Sequence, residues 1–97
     1  MSVDEVVQGW NDVAGSCGLP IMKKLTAQRR RKLAGRIRDF SVDEWKAAFA
    51  AIPRSPFLKG DNPRGWRADF DWLLQPDSIP KLMEGKYDAK PPYRSGK

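Results

Sequence analysis

Residues 23–53 read KKLTAQRRRKLAGRIRDFSVDEWKAAFAAIP, and two helical patterns follow one another in them almost without a connector. The first pattern begins after Thr26 as its N-cap and runs to about Asp39, with an apolar stripe that consists of Leu33, Ile37 and Phe40. The second begins with the capping box SVDE at residues 41–44 and is ended by Pro53; its apolar face consists of Trp45, Ala48, Phe49 and Ile52. These two helices must therefore turn sharply on each other.

The N-terminal segment repeats the capping-box pattern. Another SVDE sequence stands at residues 2–5 and predicts a helix over 3–14, ended by the glycines at 15 and 18. The turn that follows is expected to place Leu19 and Ile21 in the core.

The C-terminal part has a different texture. Residues 53–65 hold three prolines and two glycines, which predicts an irregular loop, and this loop must be ordered because Phe57 and Leu58 need burial. Residues 66–74 predict a short helix, and Ser78 is expected to cap a last helical turn that ends before Gly85.

No segment has a convincing strand pattern. The sequence therefore predicts an all-α fold, a small single domain of about four helices with one long structured loop. The domain is expected to span residues 1–88, followed by a flexible basic tail over 89–97.

Composition excludes several classes of function. The 97 residues contain no histidine and a single cysteine, Cys17, so neither histidine-based catalysis nor an internal disulfide is available. No stretch approaches the roughly 18 apolar residues of a membrane span, and residues 1–10 are acidic where a signal peptide is basic. We expect a cytoplasmic protein that is not an enzyme, with no metal, no cofactor, no small-molecule substrate and no membrane contact.

The positive charge is concentrated in one segment. The formal net charge is +6, yet residues 23–38 alone contain eight Lys and Arg and no acidic residue. Such a patch indicates an anionic partner, and arginine side chains match the oxygens of a phosphate backbone. The alternative is a solvated helix face whose arginines pair inside the fold with Asp4, Asp12 or Asp69. The candidate nucleic-acid contacts in this segment are Lys23, Lys24, Arg29, Arg30, Arg31, Lys32, Arg36 and Arg38.

Two further features favour an anionic partner. Arg29, Arg30 and Arg31 are expected in the first helical turn, where the helix dipole disfavours cations by a few tenths of a kcal/mol each. Downstream, Arg64 and Arg67 extend the candidate surface and flank Trp66, which is suited to stack on a base, as is Tyr87 beside Lys86. The alternative for the aromatic residues is a core role, which we expect for Trp45, Phe49, Phe70 and Trp72.

The sequence motifs also resemble a known family. The runs SPFLKG at 55–60, GWRADFDWLL at 65–74 and EGKYD at 84–88 are similar to the C-terminal module of phage and prophage replication proteins of the replisome-organiser type, including YdaU-like proteins. The resemblance extends over residues 9–88. It implies a role in initiating phage DNA replication, by binding origin or single-stranded DNA and by helping to recruit the host replicative helicase. In full-length members a DNA-binding part precedes this module, whereas this sequence starts with the module, so sequence-specific recognition is not expected of it.

Three functional hypotheses remain open. The first is a non-enzymatic DNA replication accessory module that binds the DNA backbone through the basic helix. The second is a protein–protein adaptor for a replicative helicase or another replication protein, with Phe57 and Leu58 of the loop as its anchors. The third is a domain that only stabilises or oligomerises a larger protein.

Overall fold

The computed structural model describes residues 1–89, and within them the chain forms five α-helices and a 3-10 turn. The helices are α1 (Val3–Cys17), α2 (Ala27–Asp39), α3 (Val42–Ala51), α4 (Phe70–Leu73) and α5 (Ser78–Met83). The described residues contain no strand, and one isolated bridge pairs Lys59 with Arg67. The predicted all-α fold with one long structured loop is confirmed. The tail predicted as flexible lies outside the described residues except for Ala89, and no helix within 1–89 is long and apolar enough to cross a lipid bilayer.

The first three helices begin where the sequence predicted. The hydroxyl of Ser2 accepts a hydrogen bond from the amide of Glu5, and the carboxylate of Glu5 accepts one from the amide of Ser2 in return. The same reciprocal pair forms between Ser41 and Glu44 at the start of α3. Thr26 caps α2 by accepting from the amide of Arg29. These short side chains satisfy amides that have no partner inside the helix.

Helix α1 continues past its predicted end. Gly15 lies inside the helix, so the expectation that it ends α1 is wrong. Gly18 ends it instead, with a φ of 72° and an amide that donates to the carbonyl of Ala14. A left-handed residue is what ends a helix in this way, whereas an exposed glycine inside a helix only costs about 1 kcal/mol.

The connector between α1 and α2 is held by side chains of α1. The amide side chain of Asn11 accepts from the backbone of Met22 at 2.8 Å and donates to its carbonyl at 3.4 Å. The indole of Trp10 donates to the carbonyl of Pro20 at 3.1 Å. This clamp buries Met22 and leaves Ile21 48% exposed, so the predicted burial of Ile21 is wrong.

Helix α3 lies at the centre of the core and packs against both α1 and α5. Trp45 and Phe49 point inward from it, as predicted. Phe70 of α4 joins them and lies edge to face with Trp10, with 6.4 Å between the ring centroids. The close approach of α1 to α3 depends on Gly9, because a Cβ atom at that position would lie 2.8 Å from the ring of Phe49. The core thus joins the N-terminal helices to the short C-terminal ones.

The segment from Trp66 to Asp69 is not helical, which corrects the helix predicted over 66–74. The amide of Ala68 donates to the carbonyl of Leu58 at 3.0 Å, so this segment runs extended against the loop. Helix α4 begins only at Phe70, after Asp69 caps it by accepting from the amide of Trp72. Long-range backbone pairing therefore outweighs the helical spacing of the aromatic residues.

Ser78 does not cap α5, in contrast to the prediction. Asp77 precedes the helix, and Ser78 is its first residue. The buried hydroxyl of Ser78 donates to the carbonyl of Trp72 at 2.6 Å. It therefore joins α5 to α4 and does not cap the amides at the start of α5.

Candidate nucleic-acid interface

The basic surface consists of six cations on α2 and on the segment before it. These side chains are exposed, and within residues 1–89 none of them forms an ion pair with a carboxylate. One of them, Lys32, lines a groove of about 520 Å³ together with Thr26, Gln28, Arg29 and Asp71 of α4. We name this set the α2 patch; it consists of Lys23, Lys24, Arg30, Arg31, Lys32 and Arg38.

Arg29 is not counted in this patch, because it forms an ion pair with Asp71. Its guanidinium donates two hydrogen bonds, of 2.9 and 3.0 Å, to the two carboxylate oxygens of Asp71, and a third to the carbonyl of Lys24 at 2.9 Å. The hydrogen bonds raise the pKa of Arg29 and lower the pKa of Asp71. Arg29 therefore joins α2 to α4, and its role as a nucleic-acid contact stays a prediction.

Arg36 is also engaged within the fold. It pairs with Asp39 at 3.0 Å on the same helix and donates to the carbonyl of Leu74 at 3.4 Å. Its side chain is only 20% exposed, and its buried Nε has no hydrogen-bond partner among the described residues. Arg29 and Arg36 thus pair inside the fold, which was the alternative to DNA contact. Their partners are Asp71 and Asp39, not the acidic residues that the sequence suggested.

Only part of the arginine run lies in the first turn of α2, where the helix dipole disfavours cations. Because Thr26 is the N-cap, Arg29 is the third helical residue and Arg31 the fifth, beyond the first turn. The charge of Arg29 is offset by Asp71, and Arg38 lies in the last turn, where the dipole favours cations. Exposure and the lack of acidic partners, rather than dipole strain, are what make the α2 patch available to an anion.

The downstream cations, Arg64 and Arg67, lie on the loop and just after it, and within residues 1–89 neither side chain forms a hydrogen bond or an ion pair with α2. The guanidinium of Arg67 donates to the carbonyl of Gly18 at 2.7 Å, which joins the loop to the end of α1. Arg64 is exposed, and its side chain forms neither a hydrogen bond nor an ion pair within residues 1–89. The predicted basic residues thus comprise the α2 patch, the internally paired Arg29 and Arg36, and the two arginines on either side of Trp66.

Four aromatic side chains gather on one side of the loop in a closed ring of contacts. The ring centroids of Phe57 and Trp66 are 5.8 Å apart, those of Trp66 and Trp72 are 6.0 Å apart, those of Trp72 and Tyr87 are 5.6 Å apart, and those of Tyr87 and Phe57 are 6.1 Å apart. Phe57 is 45% exposed and Trp66 is 38% exposed, whereas the other two are half-buried. We name these four residues the aromatic cluster.

The cluster corrects two predictions. Phe57 is not buried with Leu58, and Trp72 is only half-buried, although the other three aromatic residues expected in the core are buried there. Nothing in the sequence indicated the assembly, because positions 57, 66, 72 and 87 follow no helical or strand period. It is a product of tertiary contacts.

Asn62 positions the two exposed rings. Its side-chain amide donates to the carbonyls of Phe57 at 3.0 Å and Trp66 at 2.7 Å. Its side-chain oxygen accepts from the amides of Arg64 at 3.2 Å and Trp66 at 2.9 Å. Leu58 is buried beneath the loop, and its amide donates to the buried hydroxyl of Ser55 at 3.1 Å. The loop therefore presents Phe57 and Trp66 from a fixed backbone.

A cavity of about 330 Å³ opens beside the cluster. It is lined by Pro56, Phe57 and residues 86–89, which include Tyr87. Asp88 contributes an acidic group there, and Arg54 pairs with it at 3.5 Å. Among residues 1–89, no three acidic or thiol side chains come together in a way that could hold a metal ion.

The chain is similar to a phage protein whose name indicates a role in replication. The DNA replication protein gp18 of Salmonella phage P22 is 34% identical over 91 residues, an alignment that covers 88% of this chain and 33% of that protein. The chain thus spans about a third of the length of the relative that it matches. No protein-family model matches the sequence, and no solved structure is significantly similar to it. The similarity supports a relation to a phage replication protein, while the narrower resemblance to YdaU-like modules stays a prediction.

Proposed function

We propose that this chain is a non-enzymatic DNA-contacting module of a phage replication protein, which works in the cytoplasm and binds the DNA backbone through the α2 patch. The observation that supports this proposal best is the set of exposed cations on α2 that have no carboxylate partner within residues 1–89. The name of the P22 relative, a DNA replication protein, agrees with such a role.

The charge of the patch explains how binding would occur. Lysine and arginine side chains displace the cations condensed on DNA, and this release makes the affinity fall with salt concentration. Because Arg29 and Arg36 form ion pairs inside the fold, we leave them out of the proposed binding surface. Contacts to phosphates hold the DNA in position without reading its sequence.

The test is a titration of fluorescently labelled DNA, single-stranded and duplex, followed by anisotropy at several salt concentrations. With about four to six phosphates neutralised, the logarithm of the affinity is expected to fall against the logarithm of salt with a slope of about −3 to −5. Arg31→Glu is expected to weaken binding roughly tenfold, irrespective of DNA sequence.

Lys46→Glu is the matched control, because it makes the same change in net charge on the exposed side of α3. Its effect is expected to be small. Affinity that does not depend on salt, or equal losses in the two variants, would contradict the role of the α2 patch.

A protein-adaptor function is the second candidate, and one observation favours it. Phe57 is 45% exposed and lines a cavity of about 330 Å³. An exposed apolar side chain beside a cavity is typical of sites that bind another protein. Its other expected anchor, Leu58, is buried and belongs to the scaffold of the loop. A replication partner such as the replicative helicase would then contact the module through Phe57, with the α2 patch accelerating its association.

A further inference from the structure

We infer that the aromatic cluster is a stacking platform for unpaired bases, so that the DNA taken by this module is single-stranded. This inference rests on the proposed function and goes beyond it, because phosphate contacts alone do not distinguish a single strand from a duplex. The site consists of Phe57 and Trp66 as the exposed rings and of Trp72 and Tyr87 as the rings that support them.

The geometry of the cluster suits such a role. Phe57 and Tyr87 are stacked with an angle of 24° between their planes, and Trp66 lies against Phe57 at 44°. Each exposed ring thus has a supporting neighbour, and Asn62 holds the backbone under both of them. Because the rings are already ordered before binding, little conformational entropy is lost when a flat ligand is added.

The surrounding charge favours a nucleic acid over a neutral or basic peptide. Residues 55–67, which contain both exposed rings, hold three basic residues and one acidic residue. Arg64 is exposed two residues from Trp66, Lys86 is exposed beside Tyr87, and neither forms an ion pair within residues 1–89. The acidic group nearest to Tyr87 in the sequence, Asp88, is offset by Arg54. Cations interleaved with accessible rings are the combination by which proteins hold single strands.

The aromatic cluster and the α2 patch are connected through α4. Asp71 holds Arg29 at the start of α2, and the next residue, Trp72, contacts Trp66 and Tyr87. One strand that follows α4 would therefore offer phosphates to α2 and bases to Trp66. A duplex does not satisfy both sets of contacts, since its bases are stacked inside the helix.

The experiment compares Trp66→Ala with the unchanged protein on a labelled oligothymidine and on a duplex of equal length. Loss of one stacked base is expected to weaken binding to the single strand roughly tenfold and to leave duplex binding unchanged. Trp66→Phe retains an aromatic face and is expected to restore most of the affinity. Val42→Ala is the matched control, because it shortens another exposed apolar side chain, on α3, outside the cluster.

Two further readings separate this inference from the proposed function. Arg31→Glu is expected to weaken binding to both DNA forms, whereas Trp66→Ala weakens binding to the single strand only. Equal affinities of Trp66→Ala and Val42→Ala for oligothymidine, in folded proteins by circular dichroism, would overturn the platform and leave the α2 patch standing. If the unchanged protein binds neither DNA form, both proposals fail, and the cluster becomes a contact site for a protein.

Discussion

The two halves of this domain are built by different kinds of interaction. Residues 1–51 form three helices whose starts are set by side chains three residues away, at Ser2, Thr26 and Ser41. Residues 52–89 contain only short helices, and their arrangement depends on partners distant in sequence, such as Leu58 with Ala68. Both halves contribute to the core, while the first half supplies the basic patch and the second supplies the aromatic cluster. Local signals thus build the scaffold, while tertiary contacts assemble the more distinctive surface.

The largest expected effect comes from the core that both halves share. Trp45→Ala removes a fully buried ring from α3, the helix that packs against both α1 and α5. Loss of a large aromatic side chain from a core costs about 3–5 kcal/mol, a large share of the stability of a domain of this size. Urea unfolding followed by far-ultraviolet circular dichroism measures it. We expect one cooperative transition, shifted to lower urea. Two separate transitions would show that the halves unfold independently.

The difference between the halves also explains how far the sequence was informative. The capping boxes and the apolar spacing of α3 were sufficient because the partners lie within one helical turn of each other. The helix predicted over 66–74 was wrong because the amide of Ala68 binds Leu58, ten residues earlier, and no local rule reports such a pair. The predicted burial of Phe57 failed for the same reason.

The candidate site divides in the same way. The basic run at 29–32 is visible in the sequence. The sequence does not show which of its residues are paired inside the fold, because Arg29 and its partner Asp71 lie 42 positions apart. The aromatic cluster gathers rings from positions 57 to 87, and only the folded chain brings them together. Composition therefore predicted the kind of surface, and tertiary contacts decided which of its residues remain available.

An intermediate effect is expected from the loop. Asn62→Ala removes four hydrogen bonds between one side chain and the backbone around Phe57 and Trp66. Since each such bond contributes about 0.5–1.5 kcal/mol and this site is partly solvated, we expect a loss of about 1–3 kcal/mol. Helical circular dichroism is expected to stay unchanged, while the fluorescence of Trp66 changes and single-strand binding falls.

Ser41→Ala is the matched comparison in the first half, because it also removes a side chain that binds backbone amides. Loss of this cap is expected to cost about 1 kcal/mol and to leave single-strand binding unaltered. If Asn62→Ala left the fluorescence and the binding unchanged while Ser41→Ala altered them, the assignment of the single-strand contacts to the second half would be wrong.

The smallest expected effect lies at the ion pair that joins the two halves. Arg29 lowers the pKa of Asp71 in the folded protein, so the pair contributes stability at pH values above the ordinary value of 3.8. This contribution is lost as the pH falls through the lowered pKa. Because Asp71 is 58% exposed, we expect Asp71→Asn to cost only about 0.3–1 kcal/mol at neutral pH, and this difference from the unchanged protein should vanish in acid. Urea unfolding at both pH values measures it.

The same substitution sharpens the functional comparison, because it releases Arg29 from its partner while the fold is retained. Arg29 then joins the α2 patch, so DNA binding is expected to strengthen about two- to threefold, and the salt slope to steepen by about one unit. Stability and affinity thus move in opposite directions in one variant. A loss of affinity in Asp71→Asn would instead mean that Arg29 has to remain fixed on α4 for DNA to bind, and that the junction between the halves is itself part of the binding surface.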